Sequence, residues 1–179
     1  MQNTTEELEN KTKKAKPLTP KIEELLQQSK SVILSTINEK GAPNASYAPF
    51  AQIGNKFYIL VSFMAVHTKN LKEQMKASAM FIEDEKETKQ IYARDRLTLD
   101  VTCNEIERDT PEWEAGISKL KETHGKILDM LSSMEDFILI ELSPVKGSYV
   151  NGFGSAYTVN EQLKIVQHKN DVAHKVAKK

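Results

Sequence analysis

Apolar and polar residues alternate along Ser31 to Ile37, the two-residue period of a strand with one buried face. Glu39-Lys40-Gly41 supplies a turn and Asn44 to Ile53 a second strand, so the pair reads as a hairpin. Gly54-Asn55 is a two-residue turn of the kind that matches strand twist, and Phe57-Tyr58-Ile59-Leu60-Val61 follows as a nearly continuous apolar strand. Upstream, Thr19-Pro20 places a capping hydroxyl before a first-turn proline, and Ile22, Leu25 and Leu26 share one helical face to about Ser29. After Ser62 the period turns helical over His67 to Gln74, before a strand over Ala77 to Glu83. Ile91 to Arg108 reads as one long strand, or two joined at a bend, with Leu97, Leu99 and Val101 inward. Asp109-Thr110-Pro111-Glu112 starts a helix pair whose apolar stripe runs from Trp113 to Leu131 and is interrupted at Gly125. Phe137 to Leu142 and Gly147 to Val150 are predicted closing strands, parted by a turn at Pro144. Many antiparallel strands with few helices predict a mainly β fold with flanking helices: a six- to eight-stranded barrel that removes its own edges.

Length confines the chain to one domain, since 179 residues support one core. Residues 1–18 mix charge, Thr and Asn without periodicity and read as a disordered arm, 19–160 as the barrel, and 161–179 as a flexible tail. Twenty-five basic residues balance 25 acidic ones, so no global field draws the chain to nucleic acid or an anionic membrane. Small-molecule or protein partners are expected. No apolar run is long enough to span a bilayer, and the N-terminal residues lack the apolar centre of a signal peptide, which predicts a cytoplasmic protein with no membrane partner. Cys103, the only cysteine, lies in an apolar stretch and reads as a buried, inert thiol.

Two of the four histidines, His168 and His174, fall in the lysine-rich C-terminal stretch. A solvated tail has no need of imidazole, and neutral imidazole is a common ligand of metals and of haem iron. Spacing alone does not separate such a ligand from a surface histidine. His124, beside Gly125, reads as an ordinary helix ending. Zinc spacing, a phosphate-cradling loop and a hydrolase triad are absent from the sequence, and Gly152-Phe153-Gly154 lacks the third glycine and following helix of a dinucleotide site. Trp113, Tyr149, Phe153 and Tyr157 read as core or interface aromatics.

Three strands followed by His67-Thr68-Lys69-Asn70-Leu71 resemble the FMN-binding split β-barrel of the pyridoxamine-phosphate-oxidase superfamily, in which a basic residue near Lys69 holds the flavin phosphate. A closer resemblance, over roughly residues 22 to 175, is to bacterial haem-utilisation proteins of the HugZ/HutZ type. It is carried by Asn44 to Phe50, Ile82 to Glu85, Ala93 to Thr98, Asp136-Phe137, Gly152 to Tyr157 and a C-terminal histidine. That resemblance implies a homodimer binding b-type haem between its protomers and opening the macrocycle oxidatively, with an electron donor (a reductase or small reductant), to a biliverdin-type product and iron. It assigns His174 as axial iron ligand and Asp136, from the other subunit, as the carboxylate that holds its second ring N–H. Arg96 matches a guanidinium near bound oxygen, a distal water or a propionate. His67 matches a family histidine at the start of the short helix, and His168 could exchange roles with His174. From the residues alone, Asp136 is equally a strand-start residue, Arg96 a surface partner of Asp95 or Glu107, and His67 a helix cap. The competing readings are an FMN-dependent oxidoreductase of the same fold and a haem carrier or storage protein without catalysis.

Overall fold

Nine strands in one antiparallel sheet order the described residues, 19–153 and 155–168, of the computed structural model. Helix α1 (Thr19–Gln28) leads into the expected hairpin of β1 (Ser31–Ile37) and β2 (Pro43–Pro49). A second hairpin joins β3 (Ala51–Ile53) to β4 (Lys56–Ser62) through Gly54, whose positive φ of 61° suits glycine. Helix α2 (Val66–Gln74) crosses to β5 (Lys76–Ile82), and β6 (Arg96–Ile106) pairs with both β5 and β7 (Phe137–Val150). Helices α3 (Pro111–His124) and α4 (Ile127–Leu131) lie between β6 and β7 in sequence, and β8 (Ala156–Asn160) and β9 (Ile165–His168) close the described chain. The strand order is β2-β1-β5-β6-β7-β4-β3, with β8 and then β9 added beside β7.

Alternation explains the main core. Val32 and Leu34 of β1, Phe81 of β5, Leu97 and Leu99 of β6 and Tyr149 of β7 are all 0% exposed, while their neighbours in sequence face outward. Helix α1 closes this core with Ile22, Leu25 and Leu26, and Phe50, Phe57 and Phe81 meet in it at centroid distances of 4.7 to 5.7 Å. The unbroken apolar run of β4 has a separate cause. Phe57, Ile59 and Val61 face the main core, whereas Tyr58 and Leu60 meet Trp113, Leu120 and Leu128 from α3 and α4, so both faces are covered.

The expected antiparallel β architecture with flanking helices holds, with nine strands instead of six to eight. The predicted strand Asn44 to Ile53 divides at Phe50, where the chain leaves β1 for β4 and buries the ring. Residues Ile91–Ala93 form a 3-10 turn capped by the Gln90 side chain, so the strand predicted to begin there begins at Arg96. Pro144 is no turn. It lies inside β7 at a register shift, opposite Val101, where Val145 has no partner on β6. On the other edge of β7, β4 reaches only to Leu142 and β8 starts only at Lys146, so the missing N–H falls in a gap between neighbours. The barrel also extends past residue 160. The Asn160 side chain accepts from Gln162 N and Lys164 N, turning the chain into β9, which carries the sheet to His168. Residues 1–18 and 169–179, including the arm, His174 and most of the predicted tail, lie outside the described residues.

Candidate functional site

Arg96 opens β6 between Ile82 of β5 and Val150 of β7. With Leu97 and Leu99 turned inward, Arg96, Thr98 and Asp100 face outward. The residues beside it are committed elsewhere. Arg94 bonds the Glu83 carbonyl (Nε, 2.8 Å) and the Glu85 carboxylate (3.1 Å). The Asp95 carboxylate accepts from the Tyr149 hydroxyl at 3.0 Å and from Asn151 Nδ2 at 2.7 and 2.8 Å, and Asn151 Oδ1 accepts from Lys21 Nζ at 3.0 Å. Burial first, and then the Asp95 charge, hold the Tyr149 phenol far above its ordinary pKa. Neither Asp95 nor Glu107 pairs with Arg96, and among the described residues no carboxylate lies within ion-pair distance of its guanidinium. One row along the same outer face stand Tyr47, Ile33 and Met80, register partners across β2, β1 and β5, with Tyr47 68% and Ile33 37% exposed.

His168 belongs to the same end of the sheet. It pairs with Tyr157, Tyr157 with Tyr149, and Tyr149 with Leu97. Its ring packs edge-on against Tyr157 at 4.5 Å between centroids, and its Nδ1 is buried without a partner. His168 is thus a packed strand residue, and the chain leaves the described barrel one row from Arg96.

Asp136 occupies the opposite end. It sits in a turn closed by a 3.2 Å bond from Phe137 N to the Met134 carbonyl, its Oδ2 accepts from Ser62 Oγ at 2.9 Å, and its carbonyl accepts from Phe63 N at 2.8 Å. Those contacts tie it to the segment that becomes α2. The helix starts at Ala65, which offers no side-chain cap, so the N–H groups of the first turn are not satisfied by a cap. His67 follows on α2 and is not the cap. Its Nε2 is buried without a partner, as are Thr68 Oγ1 beside it and Asn44 Oδ1 and Ser46 Oγ on β2, and burial lowers the pKa of the imidazole. Lys69 is two-thirds exposed and reaches only Glu73, at 3.7 Å. Phe63, Met64 and Val66 expose an apolar rim around this end.

The two groups of residues are separated by the length of the barrel. Arg96 pairs with Val150 at one end of β7, and Asp136 precedes Phe137 at the other, with the whole 14-residue strand between them. His174 lies six residues past His168, a span that covers at most about 22 Å when fully extended.

His124 acts structurally, with Nε2 2.8 Å from the Phe50 carbonyl. Cys103 is 4% exposed and burial pushes its thiol up to about 12, the behaviour of an inert side chain. Ser62 and Arg108, both bound to the Asp136 turn, were not legible as site residues. Ser62 reads as a strand end, and nothing in the sequence pairs Arg108 with a turn about 26 residues away. Among the described residues no group of three or more His, Cys, Asp or Glu side chains could hold a bare metal ion, and no helix is long and apolar enough to cross a membrane.

The family described as pyridoxamine 5'-phosphate oxidase matches residues 18–151. A protein of Vibrio cholerae serotype O1 named "Heme oxygenase HutZ" is 43% identical over 143 residues, which are 80% of this chain and 81% of that protein. The crystal structure of Vibrio cholerae HutZ, there described as a heme storage protein, superposes with a TM-score of 0.72 at 42% identity, covering 78% of this chain and 98% of that one. Campylobacter jejuni ChuZ superposes with a TM-score of 0.79 at 28% identity, covering 89% of this chain and 65% of the other.

Proposed function

We propose that this chain, which belongs to the pyridoxamine 5'-phosphate oxidase family and to its HugZ/HutZ branch, binds haem at the seam of a homodimer and opens the porphyrin ring oxidatively. The observation that carries the proposal is the placement of Arg96 and the tail exit at one end of the barrel and of Asp136 and His67 at the other. Two antiparallel copies bring unlike ends together, and the outward Tyr47, Ile33 and Met80 supply an apolar face for that contact. His174 of one chain would then hold the haem iron, and Asp136 of the other would accept its second ring N–H, fixing the tautomer and raising ligand basicity. The donor set suits the ligand: Arg96 offers a propionate or bound oxygen a cation with no carboxylate partner among the described residues, and burial favours neutral His67 near the apolar rim of Phe63 and Met64. When bound, haem would supply the iron chemistry: an external donor would provide the electrons for dioxygen, and the ring would be oxidised to a biliverdin-type product with release of iron. A cytoplasmic location, within reach of soluble reductants, completes the reading.

Complementation tests the two-chain site. Arg96→Ala and Asp136→Asn chains, each slow alone, should recover about a quarter of wild-type turnover when mixed and allowed to exchange, because half the dimers are mixed and each has one intact site. No recovery, with exchange verified by mass, overturns the shared site. His174→Ala should alter the Soret band of the haem complex. A second reading, a flavin enzyme of this fold, is favoured by the uncapped start of α2 beside Lys69. Tight FMN binding with no Soret band on haem titration would establish it in place of the first. A carrier would retain its Soret band when supplied with reductant and oxygen.

A further inference from the structure

Asp136 sits in a turn near the surface, a poor mounting for a carboxylate that must meet an imidazole at one angle. Arg108, just past β6, grips that turn from beneath. Its Nη2 donates to the carbonyls of Met134, at 3.0 Å, and Phe137, at 2.9 Å, the two residues that open and close the turn, and its Nη1 donates to the Ser132 carbonyl at the end of α4. The guanidinium Cζ lies 4.3 Å from the ring centroid of Trp113, which is 4% exposed and whose backbone N–H is held by the Thr110 hydroxyl at 3.2 Å. A planar fork with several fixed donors can hold three carbonyls at once, and an ammonium on a flexible stem cannot. From above, Ser62 completes the mounting. Its Oγ accepts from Met64 N at 3.2 Å, so its one proton is directed to Asp136 Oδ2 at 2.9 Å.

We infer that Arg108, stacked on Trp113, is the positioning residue of Asp136: it fixes the turn so that the carboxylate is already oriented for the ligand imidazole of the partner chain. The inference rests on the reading of Asp136 given above. It extends that reading to a residue that touches neither haem nor reacting atoms, and it gives the pair of Arg108 with Trp113 of α3 a part in the chemistry at the dimer seam.

Full-length protein provides two readouts that differ from turnover. In haem-free protein, Arg108→Gln should speed hydrogen exchange at the Phe63 amide, which bonds the Asp136 carbonyl, about 10-fold or more while amides of β5 and β6 keep their rates. In the haem complex, the pH profile of the visible spectrum should move in the same direction as in Asp136→Asn, with turnover about 10-fold lower, the range for lost outer-shell partners. Arg108→Lys retains the charge and much of the packing, should fold where the glutamine variant does not, and should shift both readouts less and in the same sense. Wild-type exchange at Phe63 in Arg108→Lys and Arg108→Gln overturns the positioning role. So does a wild-type pH profile in both when Asp136→Asn shifts it. An unchanged profile in Asp136→Asn itself overturns the function read into Asp136, and the Phe63 exchange then still decides whether Arg108 holds the turn.

Discussion

Glu141 is a charged residue placed where chains usually put apolar ones. It is 8% exposed on β7 and accepts from Lys56 Nζ at 2.9 Å, the Tyr58 hydroxyl at 2.8 Å and Ser143 Oγ at 2.8 Å. Burial pushes its pKa up, but the three hydrogen bonds and the Lys56 charge together pull harder, so it ends below the usual glutamate value. Tyr58 shows the reciprocal effect, pushed up to about 12 by burial and then by Glu141. A carboxylate with a depressed folded pKa stabilises the fold above its unfolded value, about 4.3, and loses that contribution as pH falls through the folded one. Tyr58→Phe should therefore cost about 1 to 3 kcal/mol at pH 7 in urea unfolding, the penalty for leaving a buried acceptor short of a donor. The difference from wild type should shrink in acid, once Glu141 is protonated in both. A constant difference from pH 7 to pH 3 would show that the hydroxyl acts by packing alone.

At the scale of the element, β7 is the spine on which the site is measured, and one glycine governs how closely its neighbour lies. A Cβ added at Gly147 would stand 2.5 Å from the Thr98 carbonyl oxygen and 2.5 Å from Leu99 Cδ2, and the first of these is backbone that cannot move aside without disturbing the β6 ladder. Gly147→Ala should destabilise by about 1 to 3 kcal/mol, the range for overpacking a filled interior, measured as a lower urea midpoint with an unchanged slope. Wild-type stability would show that β6 and β7 are less tightly apposed than the structure has them. The register shift at Asp100 and Val101 lies close by, so this strand pair combines a close approach with a bulge just after Arg96 and Thr98 point outward.

At the scale of the whole molecule, the barrel leaves an outer face unfilled. Tyr47 and Ile33 stand exposed beside Met80 on the face that carries Arg96, the face proposed above to meet a second copy of the chain. Tyr47→Asp places a charge on that face one row from Arg96, while leaving every residue proposed to hold haem in place. It should convert dimer to monomer in sedimentation at micromolar concentration and weaken haem binding in parallel, since ligand and assembly are linked. A monomer that binds haem with unchanged affinity would remove the seam as the binding site.

The sequence by itself determined what depends on near neighbours. Its periods of two and 3.6 residues set the four helices and strands β1, β4, β5 and most of β6, Gly54-Asn55 marked a hairpin, and Thr110-Pro111 started α3 where expected, whereas β8 and β9 were not foreseen. Arg96, Asp136, His67, Lys69 and His168 entered as candidates through resemblance to known proteins and not through spacing. Where long-range pairing outweighs local preference, only the tertiary structure decided. Pro144 is tolerated in a strand because β4 stops and β8 has not begun, and residues that look like tail are held as β9 because the Asn160 turn returns them to β8. Arg108 could not be singled out, since its partners are carbonyls, which every residue carries. The separation of Arg96 from Asp136 also became visible only when β6 and β7 were laid side by side, because distance in a sheet is set by register and not by spacing along the chain.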